Sequence, residues 1–406
     1  LASSAASDVY KRQIERIGLS WMSGVISDSD SLKAMTDVYD AIIDASLTWA
    51  VRHQIAEFGV ETAPAGITVI AMGRYGGREV NFSSDADAIL IYRPADDADD
   101  GQANAFAKKV VEDLRNILQG PTTLEPKIEL DLDLRPEGKN GPLVRSYASC
   151  EEYYESWAST WERQALLRAR YAAGDAELAR DFLINIADPL RYPTTELTEA
   201  ELQNIRKLKA RMEAERLPRG VRRERHLKLG KGGLSDVEWT VQLMQLQHAG
   251  DIKDLRVNGT LEALDVLEAK KLISAIDAIQ LRKAWTLCTA ARNGSYLWSG
   301  RANQADILPD DIYSLGGIAV YLGYGAHRGQ HFENDLLAVM RKCRDVCQRL
   351  FYGKTEGEAA AATTAYARDR TATGTKSTPR AAIRQHIRWI FRWTLGECGC
   401  PKNGVS

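Results

Sequence analysis

The chain has 406 residues, which is long enough for two domains with substantial hydrophobic cores. Its formal net charge of −2 predicts no bulk electrostatic attraction to nucleic acid. The six cysteines lack the paired spacing of a metal site, and no apolar run approaches the length of a membrane span. We therefore expect a cytoplasmic protein with reduced thiols, no membrane contact and no nucleic-acid partner.

Both ends of the sequence look foreign to the rest. The chain opens at Leu1 without Met, and residues 1–13 resemble a translated adaptor, so we expect residues 1–30 to be disordered or foreign. Residues 354–406 pass from an Ala/Thr/Gly/Lys-rich stretch into an arginine- and tryptophan-rich tail. This tail is predicted to be low-complexity or foreign, and a short amphipathic contact helix is the alternative.

The body of the chain begins with a predicted amphipathic helix at residues 32–58 and a strand at residues 67–72. A glycine-rich turn follows the strand, with Gly73, Gly76 and Gly77 in close succession. Backbone N–H groups at glycine can approach a triphosphate because no Cβ stands in the way. We therefore predict that these three glycines, together with Ser84, bind phosphate groups.

Asp85 and Asp87 follow this turn and precede the apolar run Ala88 to Ile91. Residues two apart in a strand point to the same face, so both carboxylates reach one place. Two like charges held together repel unless a cation lies between them, and Mg²⁺ prefers oxygen ligands. This layout is typical of a metal-dependent nucleotidyltransferase. The alternative is a polar strand end behind an ordinary hairpin turn.

A third acid of the kind such sites use is available further along the chain. After a predicted helix at residues 102–118, residues 127–135 alternate apolar and acidic side chains with a period of two. This pattern predicts a strand with Glu129, Asp131 and Asp133 on one face, ended by Pro136 and Gly138. A half-exposed strand with a solvated acidic face is the alternative.

From residue 150 onward the pattern is helical almost throughout, with predicted helices at 150–170, 199–216, 234–248, 260–269, 272–298 and 327–351. The fold class is therefore predicted as α+β. A small catalytic domain with a mixed sheet would occupy residues 31–148, and an all-helical bundle residues 149–353. A basic run from Arg216 to Lys231 fits either a solvated face or a phosphate or partner contact.

Four blocks in this order make the sequence resemble the glutamine synthetase adenylyltransferase family. The blocks are residues 71–92, residues 131–144, residues 161–170 with 173–175, and residues 231–239 with Gln242. The resemblance covers residues 31–353 and implies a DNA-polymerase-β-like nucleotidyltransferase domain. The sequence of residues 72–77 and 84–87 is most similar to that of the C-terminal, AMP-attaching half of actinobacterial members.

The resemblance also implies roles for individual residues and partners. It assigns metal binding and catalysis to Asp85, Asp87 and Asp131, because many family members have Arg where Asp133 stands. It implies Mg²⁺ as cofactor, ATP as substrate, glutamine synthetase as protein substrate and a PII-type signal protein as a further candidate partner. The expected reaction is AMP transfer to a tyrosine. Phosphorolytic removal of that AMP, or a non-catalytic docking module, is the alternative.

Overall fold

A mixed five-stranded sheet packed between helices precedes a set of long helices. The computed structural model describes residues 2–119, 128–217 and 220–354, so all but the first residue of the predicted tail 354–406 lies outside the described residues. The strands are β1 Ala65–Ala71, β2 Ala86–Pro94, β3 Leu130–Asp131, β4 Arg145–Ser146 and β5 Arg170–Gly174.

The sheet is organised around its two long strands. Its order is β3-β2-β1-β5, with β1 antiparallel to both neighbours and β2 parallel to β3 and to β4. Side chains from alternate positions of β2 enter two different cores, with Ala88 and Leu90 on one side and Ile89 and Ile91 on the other. Burial on both faces explains the continuous apolar run of this strand.

One face of the sheet is covered by α1 Ala2–Met22, α2 Asp28–Phe58 and α4 Asp100–Gln119. Residues 1–30 were expected to be disordered or foreign, and the structure differs there. Ile17 and Trp21 of α1 are buried, and Trp21 Nε1 donates a hydrogen bond of 2.7 Å to Asp28. Contact of one apolar side of α1 with the core accounts for its order.

The other face is covered by α5 Tyr147–Trp157, α6 Thr160–Leu166, α7 Ala176–Asp181, the π-helix Phe182–Ala187 and α8 Asp188–Arg191. The single helix predicted at residues 150–170 is wrong, because it is broken between Trp157 and Thr160 and ends before β5. This edge strand pairs with β1 although it lies beyond residue 148.

The remaining helices are α9 Glu199–Glu215, α10 Leu234–His248, α11 Thr260–Ala269, α12 Ala275–Ser299, α13 Ile312–Tyr321 and α14 Gly329–Leu350. They share a core centred on Trp285 and Phe332. The predicted α+β class, with a mixed sheet followed by a helical part, is confirmed. The division at residue 148 stays a prediction; the packing changes from one core to the next between Leu190 and Tyr192.

Two further predictions concern the chain as a whole. Cys150, Cys288, Cys343 and Cys347 are free and buried, which agrees with the predicted reduced thiols as far as the described residues go. Within the same residues, no helix has the length and apolar character required to cross a bilayer. The cytoplasmic location stays a prediction.

Candidate active site

Asp85 and Asp87 lie at the start of β2, directly after the turn that follows β1. Asp85 is exposed and Asp87 is half-buried, while Ala86 and Ala88 between and beyond them are fully buried. The backbone carbonyl of Asp87 accepts a hydrogen bond of 2.8 Å from the N–H of Met72. This pairing holds the acid pair against the beginning of the glycine turn.

Asp131 stands beside Asp87, because β3 runs parallel to β2 with these two residues in register. Side chains in register on neighbouring strands point to the same face of a sheet, so both carboxylates project to one side. Asp131 Oδ1 accepts a hydrogen bond of 2.8 Å from the backbone N–H of Asp133. The structure thus places Asp131, the third acid that the family resemblance implies, beside Asp87 of the predicted acid pair.

The predicted strand at residues 127–135 is wrong beyond Asp131, because β3 contains only Leu130 and Asp131. The chain turns away at Asp133, whose carboxylate lies 3.1 Å from Lys139 Nζ and 3.8 Å from Arg135. Glu129 precedes the strand and is exposed, with an electrostatic effect on Asp85.

The clustered acids disturb one another's ionisation. Burial raises the pKa of Asp87 to about 6, with Asp131 and Asp85 adding to the rise and Lys228 opposing it. Although the Asp85 residue is exposed, partial removal of its carboxylate from water raises its pKa, and the charges of Glu129 and Asp131 raise it further. Removal from water and like charges both disfavour the ionised carboxylate, so a cation placed here would be strongly attracted.

A metal site is nevertheless not preformed. In the part of the chain that the structure describes, no group of three or more His, Cys, Asp or Glu side chains is arranged to ligate a metal ion. The donor set itself fits Mg²⁺, since Asp87 and Asp131 project to one side of the sheet, the charge of Asp131 also acts on Asp85, and Mg²⁺ favours carboxylate oxygens. The assignment of Mg²⁺ to Asp85, Asp87 and Asp131 stays a prediction.

The glycines of the turn have different structural reasons. Gly73 has a φ of +51°, and a Cβ there would collide with the Asp87 carboxylate. At Gly76 a Cβ would collide with the backbone carbonyl of Arg168, and at Gly77 with the Arg168 guanidinium. Packing against Arg168 therefore accounts for Gly76 and Gly77 without a phosphate. The predicted phosphate-binding role of these three glycines stays a prediction, with Gly73 the one that lies against the acids.

Ser84 lies directly before Asp85, and its role in phosphate binding also stays a prediction. Its Oγ accepts a hydrogen bond of 3.0 Å from the backbone N–H of Asn81. Its carbonyl accepts one of 3.0 Å from the Tyr39 hydroxyl of α2. These bonds fix the backbone from which the first acid projects.

Buried polar contacts with the helical part hold the turn in place. Asn81 Oδ1 accepts hydrogen bonds from Arg74 at 2.7 Å and from Arg292 of α12 at 2.9 Å. Asn81 Nδ2 donates to Asn293 at 2.8 Å, and Arg74 pairs with Glu238 of α10 at 2.6 Å. None of these residues was singled out as a site residue, because their meeting depends on distant parts of the chain.

A second contact joins the end of the turn to α11. The backbone N–H of Thr260 donates to Glu79 Oε1 at 2.5 Å, and its hydroxyl donates to Glu79 Oε2 at 3.0 Å. Arg168 lies 3.3 Å from Glu79 and donates to the Thr260 hydroxyl at 2.5 Å. The turn is therefore anchored to the helical part on both sides.

Lys228 is the residue of the basic run that the structure brings to the acids. Its charge acts on both Asp85 and Asp87. The sequence signal was its place in a basic run beside Gly232 and Gly233, which left open a solvated face or a phosphate contact. Its burial between cations and acids could not be read from the run itself.

A cavity of about 600 Å³ opens beside the acids. Its lining includes Glu129, Asp131 and Asp133 together with the cations Arg115 and Lys139. This volume falls within the range typical of small-molecule sites.

The sequence matches two family models and several named relatives. A family model described as "Glutamate-ammonia ligase adenylyltransferase" matches residues 2–185. A second, described as "GlnD PII-uridylyltransferase", matches residues 203–351. The chain is 99% identical over 351 residues to the "Bifunctional glutamine synthetase adenylyltransferase/adenylyl-removing enzyme" of Bifidobacterium longum (strain DJO10A). The chain belongs to the glutamine synthetase adenylyltransferase family.

Other members of the adenylyltransferase family are more distant. Proteins of the same name from Mycobacterium avium (strain 104) and Mycobacterium tuberculosis (strain CDC 1551 / Oshkosh) are 41% and 42% identical to this chain. The matches cover 86% of this chain, but only 33% of the Bifidobacterium protein and 35% of the two mycobacterial ones. The chain therefore spans about a third of the length of these relatives, and its assignment to their C-terminal half stays a prediction.

Proposed function

We propose that this chain catalyses the Mg²⁺-dependent transfer of AMP from ATP to a tyrosine hydroxyl of glutamine synthetase, and so regulates nitrogen assimilation. The register of Asp87 with Asp131, directly behind the glycine turn, is the observation that carries the proposal. The relatives are named as glutamine synthetase adenylyltransferases, which supports glutamine synthetase as the acceptor protein.

In the proposed reaction Asp85, Asp87 and Asp131 hold Mg²⁺ and ATP lies with its triphosphate near Gly73 and Ser84. When bound, Mg²⁺ would neutralise charge on the phosphates and lower the pKa of the attacking hydroxyl. The raised pKa of Asp85 and of Asp87 supports this assignment, because both carboxylates are poorly compensated without a cation.

A tyrosine hydroxyl has an unperturbed pKa of about 10, so it needs a proton acceptor at neutral pH. Asp131 occupies the edge of the acid cluster next to the 600 Å³ cavity, and we assign the acceptor role to its carboxylate. The tyrosine oxygen attacks the α-phosphorus in line, the bond to the bridging oxygen breaks, and pyrophosphate leaves. AMP remains on the tyrosine.

The second candidate is the reverse type of chemistry, in which inorganic phosphate attacks adenylyl-tyrosine and releases ADP. The name of the relatives includes an adenylyl-removing enzyme, which supports this second candidate. The same three acids would serve both reactions. We favour AMP attachment, because the sequence of residues 72–77 and 84–87 is most similar to the AMP-attaching half of family members.

Two partners follow from the proposal. Glutamine synthetase is the acceptor, and a PII-type signal protein is a candidate regulator. The family model that matches residues 203–351 carries a PII-uridylyltransferase description, which supports the second partner. A purely docking role is less well supported, because a non-catalytic module has no need of Asp85 and Asp87 in positions that raise their pKa.

The experiment incubates the chain with α-labelled ATP, Mg²⁺ and unmodified glutamine synthetase, and follows label on the acceptor and release of pyrophosphate. A parallel arm supplies adenylylated glutamine synthetase with phosphate and measures ADP. Asp85→Asn should abolish both signals, whereas the control Asp181→Asn, at a surface pair with Arg93, should keep them. Absence of label transfer with the wild-type chain, or transfer that survives chelation of divalent metal, would overturn the proposal.

A further inference from the structure

Three cations lie around the acid pair, and two of them already have partners. Arg74 binds Asn81 and Glu238, and Arg292 binds Asn81 and Asp306. Lys228 differs from both. Among the described residues no acceptor lies within hydrogen-bond or salt-bridge distance of its ammonium group, although Asp306 and Glu238 act on it from further away.

The backbone around Lys228 is firmly held. Its carbonyl accepts a hydrogen bond of 2.9 Å from the N–H of Ser235, and the preceding Leu227 bonds Leu234 at 2.9 Å and Asp306 at 2.8 Å. A Cβ at Gly230 would collide with the carbonyl of His226. These hydrogen bonds hold the backbone of the loop, and the position of Lys228 does not depend on a salt bridge of its own.

The position is unfavourable for a charge. Burial lowers the pKa of Lys228, and the charges of Arg292 and Arg74 lower it further. A half-buried ammonium group beside two guanidinium groups is costly unless an anion joins them. Such a cost is understandable where a polyanion binds during the working cycle.

Space for that anion exists on the same side. Lys228 lines a cavity of about 340 Å³ together with His226, Ser235, Glu238, Trp239 and Asp306. The buried Oγ of Ser235 has no hydrogen-bond partner within the described part of the chain. Lys228 lines this cavity, and its charge also acts on Asp85 and Asp87. The cavity lining therefore contains a cation that no described residue pairs with.

We propose that Lys228 binds the β- and γ-phosphates of ATP and neutralises the pyrophosphate that leaves. The inference rests on the proposed function and adds to it a residue of the helical part that contacts substrate. When the bond between the α-phosphorus and the bridging oxygen breaks, the electron pair stays on that oxygen. The Lys228 ammonium group then faces the additional negative charge and keeps its proton.

The test measures binding separately from turnover. Lys228→Met should weaken binding of ATP and of inorganic pyrophosphate about 10- to 100-fold, the range expected for one hydrogen bond to a charged group. AMP binding should change less than about 3-fold, because AMP lacks both outer phosphates. Lys228→Arg should restore most of the pyrophosphate binding, because it keeps the charge. Lys231→Met, on the same loop, serves as the matched control.

The outcomes separate this inference from the proposed function. If wild type binds ATP and transfers AMP but Lys228→Met leaves ATP and pyrophosphate affinity unchanged, the inference is wrong and the proposed function stands. If wild type binds neither ATP nor pyrophosphate, the proposed function fails first. An equal loss of AMP and ATP binding would also overturn the inference. Should Lys228→Met not fold, Lys228→Gln provides the same comparison with a polar side chain of similar length.

Discussion

Replacing Asp87 by Asn is expected to remove activity while it raises stability. The pKa of Asp87 is raised to about 6 from an ordinary value of 3.8, so ionising this carboxylate is harder in the folded state than in the unfolded chain. The difference of about two units corresponds to about 3 kcal/mol at neutral pH. Among the described residues no donor hydrogen-bonds the Asp87 carboxylate, so the amide loses no such bond.

The sign of the pH dependence follows from the raised pKa. Between pH values of about 4 and 6 the folded wild type binds more protons at this position than the unfolded chain. Its free energy of unfolding therefore falls as the pH rises through this window, and the loss is complete above it. Asp87→Asn has no titrating group there, so its advantage over wild type should be near zero below pH 4 and up to about 3 kcal/mol at pH 7.

The assay is urea unfolding of both proteins at several pH values, combined with AMP transfer to glutamine synthetase. Activity should fall by about 10²-fold or more, since the charge that holds Mg²⁺ is gone. Added Mg²⁺ should stabilise wild type, by about 2.7 kcal/mol at a hundred times its dissociation constant, and should stabilise the variant much less. A variant that is less stable than wild type at pH 7, or that keeps a tenth of the activity, would refute this reasoning.

Three other predictions concern neighbouring residues. Asp131→Asn should lower AMP transfer about 10²-fold or more in steady-state kinetics, while ATP affinity is largely kept. Asp133→Asn should lower transfer less than about 3-fold, because the Asp133 carboxylate pairs with Lys139. A larger loss in Asp133→Asn than in Asp131→Asn would move the third-acid role to Asp133. Asn81→Ala removes the shared acceptor of Arg74 and Arg292, so urea unfolding should show a loss of about 2–3 kcal/mol, and a change below about 0.5 kcal/mol would contradict the anchoring of the turn. Gly73→Ala should reduce AMP transfer at least about 10-fold, because a Cβ would displace Asp87, while the control Gly316→Ala, which meets open space, should stay within about 2-fold in the same assay.

Elements with local patterns were predictable from the sequence. The bounds predicted for α10 and α11 agree with the structure, and the apolar run of β2 identified a buried strand. The short strand β5 was missed because Arg170 to Gly174 shows no alternation and forms only by pairing with β1. Helix α13 was missed because Gly316 and Gly317 weaken its helical signal, although Gly317 allows close packing against Trp298.

The candidate site shows the same division between local and distant information. Asp85 and Asp87 could be found because residues two apart in an extended segment point to the same side. Asp131 was selected among the acids of residues 127–135 by the family resemblance, and the structure places it in register with Asp87. The requirement for glycine at position 76 could not be predicted, because a side chain there is excluded by the backbone of Arg168, which is far away in sequence. A Gly76→Val variant would therefore report packing rather than phosphate binding. Lys228 shows the same limit, because a basic run does not reveal which of its members comes near the acids.

The hydrogen bonds of Asn81 with Arg292 and Asn293 limit how these positions can change in evolution. A change at any one of the three removes a buried hydrogen bond from this group, so substitutions there should be accepted in evolution only as matched sets. A chimera that joins the sheet region of one relative to the helices of another should stay active only when both parents share these residues. The two segments of the chain, which match two different family models, have therefore to be exchanged together.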